Sequence, residues 1–202
     1  MQIILDISAN THLNLEPYYK RMVGELAKID YRKHEVVLKW QLFERAGDNR
    51  VADINLFCRM AIWAWEEYRY RTTASVFDTK SLTSLTTIDD TLPYELPFIK
   101  IANNPHIYWL IGEIPRKYRV YRSGDNYGCE ENIVYLQCVS KYPSSIDDYS
   151  DNAPFISDHT IGLELWHRNK PLIWEKHYKL PDSTGLDAGP FAITPDELKE
   201  VL

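Results

Sequence analysis

Two histidines, His159 and His177, each follow a short apolar run of the chain, in F-I-S-D-H-T and W-E-K-H-Y. If these runs are neighbouring parallel strands, about 4.8 Å separates them, and both imidazoles can reach one ion. Two neutral imidazole nitrogens suit Mn, Zn or Fe and leave positions open for water or substrate. By spacing alone, two separate hydrogen-bonded histidines are the better interpretation, because two histidines this far apart are common.

Two lysines, Lys39 and Lys100, follow two other apolar runs. A pair of lysines that projects into one site forms a pocket for phosphate or carboxylate, whereas each lysine taken alone is better interpreted as a solvated side chain. Neutral hydrogen-bond donors also stand at strand ends, namely Ser75, Ser123, Ser140 and Ser157.

Two aspartates, Asp6 and Asp187, are candidates for acid–base chemistry or for binding a hydroxyl group. Asp187 stands in G-L-D-A-G, where an aspartate is more often structural because it stabilises a turn. Gln41 and Tyr142 also follow apolar runs. Burying so many polar groups without partners is costly, so their convergence predicts a ligand.

The elements that must position these residues are eight short apolar runs rich in Val, Ile, Leu and Tyr, as expected of buried strands. They span 3–7, 35–40, 71–76, 98–101, 119–122, 133–138, 155–157 and 172–177. Helix signals lie between them. An apolar stripe predicts a helix over 53–68 and consists of Leu56, Met60, Trp63 and Ala64. Asp78 can cap a helix through position 85. Asn104-Pro105 begins a helix to about 113, and the capping box at Thr194 begins one that continues to the end.

Alternating strands and helices predict a parallel sheet, and about eight strands fit a compact single-domain (β/α)8 TIM-type barrel over 1–202. The α/β chain is short for this fold, so some helices must be short or missing, notably in 124–131 and 143–152. A doubly wound open sheet is the alternative, but no G-x-G-x-x-G follows the first strand. Functional residues of such barrels sit at the C-terminal strand ends.

The bulk composition narrows the function. The net charge of −6 argues against general binding to nucleic acid or to an anionic membrane surface. Three cysteines without a C-x-x-C pair suggest a reducing compartment. The N-terminus has no basic region before its short apolar run, and no stretch approaches 18 apolar residues. We therefore expect a soluble cytoplasmic protein.

In the same order along the chain, ten segments resemble motifs of the N-acetylneuraminate (sialic acid) synthase family. L-D-I-S-A-N resembles E-I-G-x-N, with Asp6 for the glutamate and Asn10 at the asparagine. L-K-W-Q, A-S-V-F-D, F-I-K-I-A and V-Y-R-S-G resemble V-K-F-Q, S-T-P-F-D, Y-K-I-A-S-G-E and I-L-S-T-G. C-V-S-K-Y-P is close to C-V-S-N-Y-P, I-S-D-H-T contains S-D-H-T, and W-E-K-H-Y resembles I-E-K-H-F. G-L-D-A-G resembles G-P-D, and T-P-D-E-L-K-E closes the barrel as in the family.

The resemblance implies a metal-dependent barrel that condenses phosphoenolpyruvate with an aldehyde or an N-acetylated aminosugar. A divalent metal, Mn or Mg, is implied at His159 and His177. The residues implied to bind phosphoenolpyruvate are Lys39, Ser75, Lys100, Ser123, Ser140 and Ser157. Those implied to bind the acceptor are Asn10, Gln41, Tyr142 and Asp187, and those implied to act in catalysis are Asp6, His177 and Asp187. A homodimer is compatible with this interpretation.

Three departures from the family concern the acceptor half of the site. The family's S-G-E is replaced by N-N-P, so that Pro105 stands where a site glutamate is expected. The chain ends at the last barrel helix, without the family's C-terminal antifreeze-like domain, and the short barrel predicts trimmed sugar-binding loops. Two alternatives stay open: a non-catalytic or repurposed barrel that binds an anionic or sugar ligand, and a metal-dependent lyase or hydrolase that uses the same two histidines.

Overall fold

A computed structural model describes residues 1–7, 15–30, 32–42 and 53–202. Eight parallel strands close into a barrel: β1 Gln2–Asp6, β2 Glu35–Leu42, β3 Arg71–Val76, β4 Ile99–Ile101, β5 Val120–Gly124, β7 Ile133–Cys138, β8 Phe155–Asp158 and β9 Ile173–His177. Pairing of β1 with β9 and of β5 with β7 completes the ring. The predicted TIM-type barrel is therefore confirmed, and the open-sheet alternative is excluded.

The strand pattern separates an apolar end of the barrel interior from a polar one. Side chains on a strand alternate between its two faces, so that Ile4 of β1 and Ile173 of β9 point into the interior. They pack there in one buried cluster with Val37, Phe98, Tyr121, Val134 and Leu136. The inward positions that follow along the same strands have polar side chains, as in Asp6, Glu175 and His177. The apolar end thus seals the barrel below a polar site.

The helices form an incomplete outer layer. The α-helices are α1 Leu15–Ile29, α2 Ile54–Tyr68, α3 Thr79–Ile88, α4 Glu164–Asn169 and α5 Pro195–Leu198. Short 3-10 helices cover Asp89–Thr91, Pro105–Glu113, Ile146–Asp148 and Leu186–Ala188. The expectation of short or missing helices is confirmed, since the β7–β8 connection has only Ile146–Asp148. The prediction that the last helix continues to the chain end is wrong, because α5 stops at Leu198.

The β5–β7 connection contains a strand instead of a helix. Strand β6, Gly128–Glu130, pairs antiparallel with the start of β7. The two-residue turn between them places Glu131 at φ 45°, a conformation suited to tight hairpins. The sequence interpretation did not anticipate β6, α1 or α4.

Capping residues fix the helix starts, and the caps at Asp78 and Thr194 are those predicted. Asp53 accepts a hydrogen bond from the backbone of Asn55, and Asp78 forms a capping box with Ser81. Thr194 forms the predicted capping box at α5.

Among the described residues, no helix is long and apolar enough to cross a membrane.

The buried stripe of α2 lies one residue further along than predicted. Met60 and Ala64 are buried as expected, but Phe57 and Ala61 complete the buried face. Leu56 and Trp63 are only half-buried. The T-shaped contact of Phe57 with Trp40 of β2, at 5.6 Å between ring centroids, accounts for this orientation.

Candidate functional site

A cavity of about 640 Å³ opens at the C-terminal ends of the barrel strands. Every candidate site residue that the structure describes lies in its lining, whereas Asn10 lies outside the described residues. The candidates found together are Asp6, Lys39, Gln41, Ser75, Lys100, Ser123, Ser140, Tyr142, Ser157, His159, His177 and Asp187. The roles assigned to them stay predictions, but the proximity that those roles require is present.

The charged floor of the cavity consists of Asp6, Lys39, Lys100 and Glu175, and all four side chains are buried. Lys100 donates to both carboxylate oxygens of Glu175, at 2.8 and 2.6 Å. Lys39 lies 3.4 Å from the same carboxylate and donates to Asp6 at 2.7 Å. The interpretation of either lysine as a solvated side chain is therefore wrong, because strand alternation turns both into the barrel.

The two lysines differ in how their surroundings shift their pKa. Burial alone would lower the pKa of Lys39, but the carboxylates of Asp6 and Glu175 outweigh it and raise this pKa above its ordinary value. Burial lowers the pKa of Lys100, which has one carboxylate beside it and the Lys39 cation nearby. Lys39 therefore holds its proton more firmly than Lys100.

Glu175 is the anion that both lysines share. Burial would raise its pKa, but Lys100 and Lys39 outweigh burial and hold this pKa well below its ordinary range. Glu175 is therefore ionised at neutral pH and is the shared partner of both lysines.

Serine hydroxyls surround these charges at three of the four predicted positions. Ser75 accepts from Lys39 at 3.1 Å, and Ser123 accepts from Lys100 at 2.8 Å. Ser157 donates to Glu175 at 3.2 Å. Ser140 is exposed at the edge of the cavity, where it can meet a ligand but supports no floor residue.

The imidazoles of His159 and His177 lie side by side above the floor, with ring centroids 5.5 Å apart. Nδ1 of His159 lies 2.8 Å from the carbonyl oxygen of Val139, so a proton on Nδ1 leaves Nε2 as a lone-pair donor. Burial, together with the neighbouring His177, lowers the pKa of His159 to about 3. A neutral imidazole of this kind is the form that binds a metal.

The donor chemistry at this point fits a metal in part. No group of three His, Cys, Asp or Glu side chains among the described residues could hold an ion by itself. A metal there would need ligands from water or substrate beside the two imidazoles. The lining contains two lysines, Lys39 and Lys100, and three carboxylates, those of Asp6, Glu175 and Asp187. Its formal net charge is therefore negative, and a divalent cation would make it positive. Oδ1 of Asp6 and Nδ1 of His177 are buried without a hydrogen-bond partner.

An apolar rim, made of Phe77, Tyr142, Leu186 and Phe191, surrounds much of the cavity opening. Tyr142 lies over His159 with ring centroids 4.2 Å apart. Phe191 meets His177 edge-on at 5.1 Å and is buried. A Cβ on Gly189 would lie 2.4 Å from this ring, so the glycine permits the ring position.

Two residues near the rim bear on the expected acceptor site. Asp187 lies in the short helix Leu186–Ala188. Its Oδ1 lies 3.4 Å from Nδ1 of His177, so this carboxylate faces the cavity. Pro105 begins the 3-10 helix after β4, and Asn103 is the polar residue from that connection in the lining. Its amide is already engaged, because it donates to the Cys138 carbonyl at 3.1 Å and accepts from Tyr108 at 2.8 Å.

Glu175 is the charged residue of the described lining that the sequence interpretation missed. It stands two positions before His177 on β9, and positions two apart share a strand face. The same rule correctly groups Lys39 with Gln41. The sequence does contain a signal for Glu175: it is a charged residue within a buried strand, two positions before a predicted site residue.

Comparison with known proteins supports the fold. No protein-family description and no curated protein sequence matches the chain. Among solved structures, the chain is similar to phospho-2-dehydro-3-deoxyheptonate aldolase (DAHP synthase) from Thermotoga maritima, with a TM-score of 0.56 and 9% sequence identity. The similarity covers 98% of this chain and 67% of the other. At this identity, the chain shares the barrel fold with that enzyme.

Proposed function

We propose that this barrel is a transferase that forms a carbon–carbon bond between phosphoenolpyruvate and an aldehyde acceptor. The observation that carries the proposal is the convergence of the described candidate residues on one cavity at the catalytic end of the barrel. Those residues come from the motifs that resemble sialic acid synthases. The structural similarity to an enzyme named an aldolase and synthase agrees with this reaction class.

Phosphoenolpyruvate would bind against the charged floor. Its phosphate and carboxylate groups suit Lys39 and Lys100, whose ammonium groups are already held by buried partners. Ser75, Ser123 and Ser157 surround these ammonium groups and add neutral hydrogen bonds. Such preorganised donors stabilise charge without rearranging during the reaction.

In the proposed reaction, C3 of phosphoenolpyruvate forms a bond to the aldehyde carbon, and the aldehyde oxygen takes up a proton. Water then adds at C2, and the bond from C2 to the phosphate oxygen breaks, releasing inorganic phosphate. Asp6 and Asp187 are the carboxylates placed to give or accept protons, since they approach His177 at 3.9 and 3.4 Å.

A divalent ion is part of the proposal, and His159 and His177 are the residues that would hold it. When bound, Mn²⁺ or Mg²⁺ would polarise the aldehyde oxygen as a Lewis acid. The protein's own contribution is to keep His159 neutral, because burial and the neighbouring His177 lower its pKa, and to orient its ring through the Val139 carbonyl.

The test is an assay of phosphate release in the presence of Mn²⁺, with phosphoenolpyruvate and a panel of aldehydes. We expect release that requires both substrates and that falls at least a hundredfold in His159→Ala. Thr87→Ala, on the exposed side of α3, is a control that leaves the site unchanged. Release that does not depend on an aldehyde, or that survives loss of His159, contradicts the proposal.

The second candidate is a barrel that binds an anion or sugar without catalysis. Pro105 favours it, because a proline at the position of the family's glutamate cannot transfer a proton. Binding of phosphoenolpyruvate without turnover of any aldehyde in the panel would support this candidate over the enzyme.

A further inference from the structure

A second cavity, of about 250 Å³, lies on the outer wall of the barrel, where the β6 hairpin replaces a helix. It shares no lining residue with the main cavity. Its lining consists of Arg122, Asn126, Tyr127, Gly128, Cys129, Glu130 and Tyr135. One side chain in it, Arg122, is a fixed cation.

The position of Arg122 follows from the strand pattern. Ser123 points into the main cavity, so its neighbour Arg122 on β5 points outward. There the guanidinium lies 3.9 Å from the ring centroid of Tyr108 and 5.2 Å from that of Tyr135. Contact with two aromatic rings holds a guanidinium in place while leaving its N–H edge free.

Arg122 has no counter-ion within the described part of the chain. The nearby Glu130 carboxylate accepts instead from the Tyr135 hydroxyl at 3.0 Å. The Nε atom of Arg122 is buried without a hydrogen-bond partner. A buried donor left without a partner is energetically unfavourable, and this one belongs to a cation that lines a cavity.

We propose that this cavity binds a small, singly charged oxyanion, such as a carboxylate or dihydrogen phosphate, through Arg122. A planar guanidinium presents paired N–H donors that match the oxygens of such groups. The Glu130 carboxylate in the same lining disfavours multiply charged ligands. Gly124 leaves room for the guanidinium beside the cavity, because a Cβ there would lie 3.1 Å from Nη2 of Arg122.

The experiment follows the side-chain Nε–Hε signals of arginine by NMR in the wild-type protein, titrated with acetate and with inorganic phosphate. The Arg122 signal is assigned by its loss in Arg122→Lys. Arg119 is the matched control, since it is exposed and stacks on a single ring, that of Tyr121, at 5.7 Å. We expect a saturable shift at Arg122 and only a small linear drift at Arg119.

A linear drift of equal size at both arginines would overturn the proposal. Gly124→Ala provides a second measurement: displacing the guanidinium should weaken binding at Arg122 at least tenfold, and unchanged binding would count against the site.

Discussion

Glu175 accepts hydrogen bonds from Lys100 through both of its carboxylate oxygens, at 2.8 and 2.6 Å, in the buried floor of the cavity. Glu175 thereby fixes the ammonium group that is proposed to meet phosphoenolpyruvate. It also compensates a charge that burial would otherwise make costly. The pair is therefore expected to matter for stability as well as for ligand binding.

The first prediction concerns the stability of this pair. Lys100→Met and Glu175→Gln should each lower the free energy of unfolding by about 3 kcal/mol, because each leaves the other charge with fewer partners in the interior. The double variant should lose about 1 kcal/mol or less, since both charges leave together. Urea unfolding of the four proteins measures the coupling free energy.

The control pair is Lys28 and Glu25 on α1, which form an exposed ion pair at 2.8 Å. The corresponding cycle there should give a coupling below about 1 kcal/mol. Equal coupling in the two pairs would mean that burial of Lys100 and Glu175 does not have the energetic effect described.

The second prediction concerns phosphoenolpyruvate binding. The double variant Lys100→Met/Glu175→Gln keeps a paired floor but removes one cationic donor. A hydrogen bond to a charged group contributes about 1.5–3 kcal/mol, so affinity should fall by about tenfold to a hundredfold. Titration calorimetry with phosphoenolpyruvate on folded protein measures this, and Lys28→Met is the control. Unchanged affinity in the double variant would place the ligand elsewhere.

Much of the barrel is predictable because buried parallel strands have a simple signature. All eight barrel strands appear near their predicted positions, since each combines a short apolar run with a polar residue at its end. Strand β6 escapes prediction because G-C-E contains no apolar run, and its pairing depends on the neighbouring strand β7. Helix α4 escapes because six residues are too few to show periodicity.

The sequence predicts which residues belong to the site but not how their charges interact. Lys39 and Lys100 are identifiable from their strand ends, yet nothing local to either lysine shows that they share Glu175 on the distant strand β9. That contact depends on barrel closure, which brings β9 beside β1. The apolar rim likewise depends on how the connection after β9 returns over the opening, as shown by Phe191 beside Tyr142.

The third prediction concerns alkaline pH. Burial raises the pKa of Tyr19, Tyr70 and Tyr94, the last to about 12, and the hydrogen bond from Tyr70 to Asp30 adds to the effect at Tyr70. Above pH 10 the unfolded chain ionises these tyrosines while the native protein does not. The native state then holds more protons, so its stability is full below pH 10 and falls as pH rises towards 12.

The measurement is absorbance of tyrosinate near 295 nm, recorded with near-ultraviolet circular dichroism across the same pH range. We expect part of the tyrosine signal to appear only as the tertiary signal is lost. Tyr70→Phe should reduce the slope of stability against pH. Complete tyrosine ionisation in protein with an intact tertiary signal would contradict this prediction.

The fourth prediction concerns Gly189. A Cβ there would lie 2.4 and 2.8 Å from two ring carbons of Phe191, so Gly189→Ala must displace the ring from His177. We expect a loss of about 1–3 kcal/mol in the free energy of unfolding, as in other overpacked sites. Gly112→Ala is the matched control, because its Cβ would meet nothing within 4 Å, and it should change stability by about 0.5 kcal/mol or less. Similar losses in both variants would show that the contact with Phe191 is not the cause.

The last prediction concerns the acceptor. Recognition of a sugar requires fixed donors and acceptors for its hydroxyl groups, and a site without them discriminates poorly. The described opening instead has an apolar rim, with Leu186 63% and Tyr142 55% exposed. The Asn103 amide is occupied within the protein, and Gln41 already donates to Asp6 at 2.9 Å. We therefore expect short aldehydes to be turned over at least tenfold more efficiently than N-acetylmannosamine, as kcat/KM for phosphate release with Mn²⁺ present.

Two variants test whether the apolar rim causes this preference. Leu186→Asn adds a hydrogen-bonding group to the rim and should reduce the ratio of kcat/KM for short aldehydes to that for N-acetylmannosamine. Leu172→Asn, at an equally exposed leucine before β9, should leave this ratio unchanged. Efficient and selective turnover of N-acetylmannosamine by the wild-type protein would show that the sugar's hydroxyl groups find partners that the apolar rim does not provide.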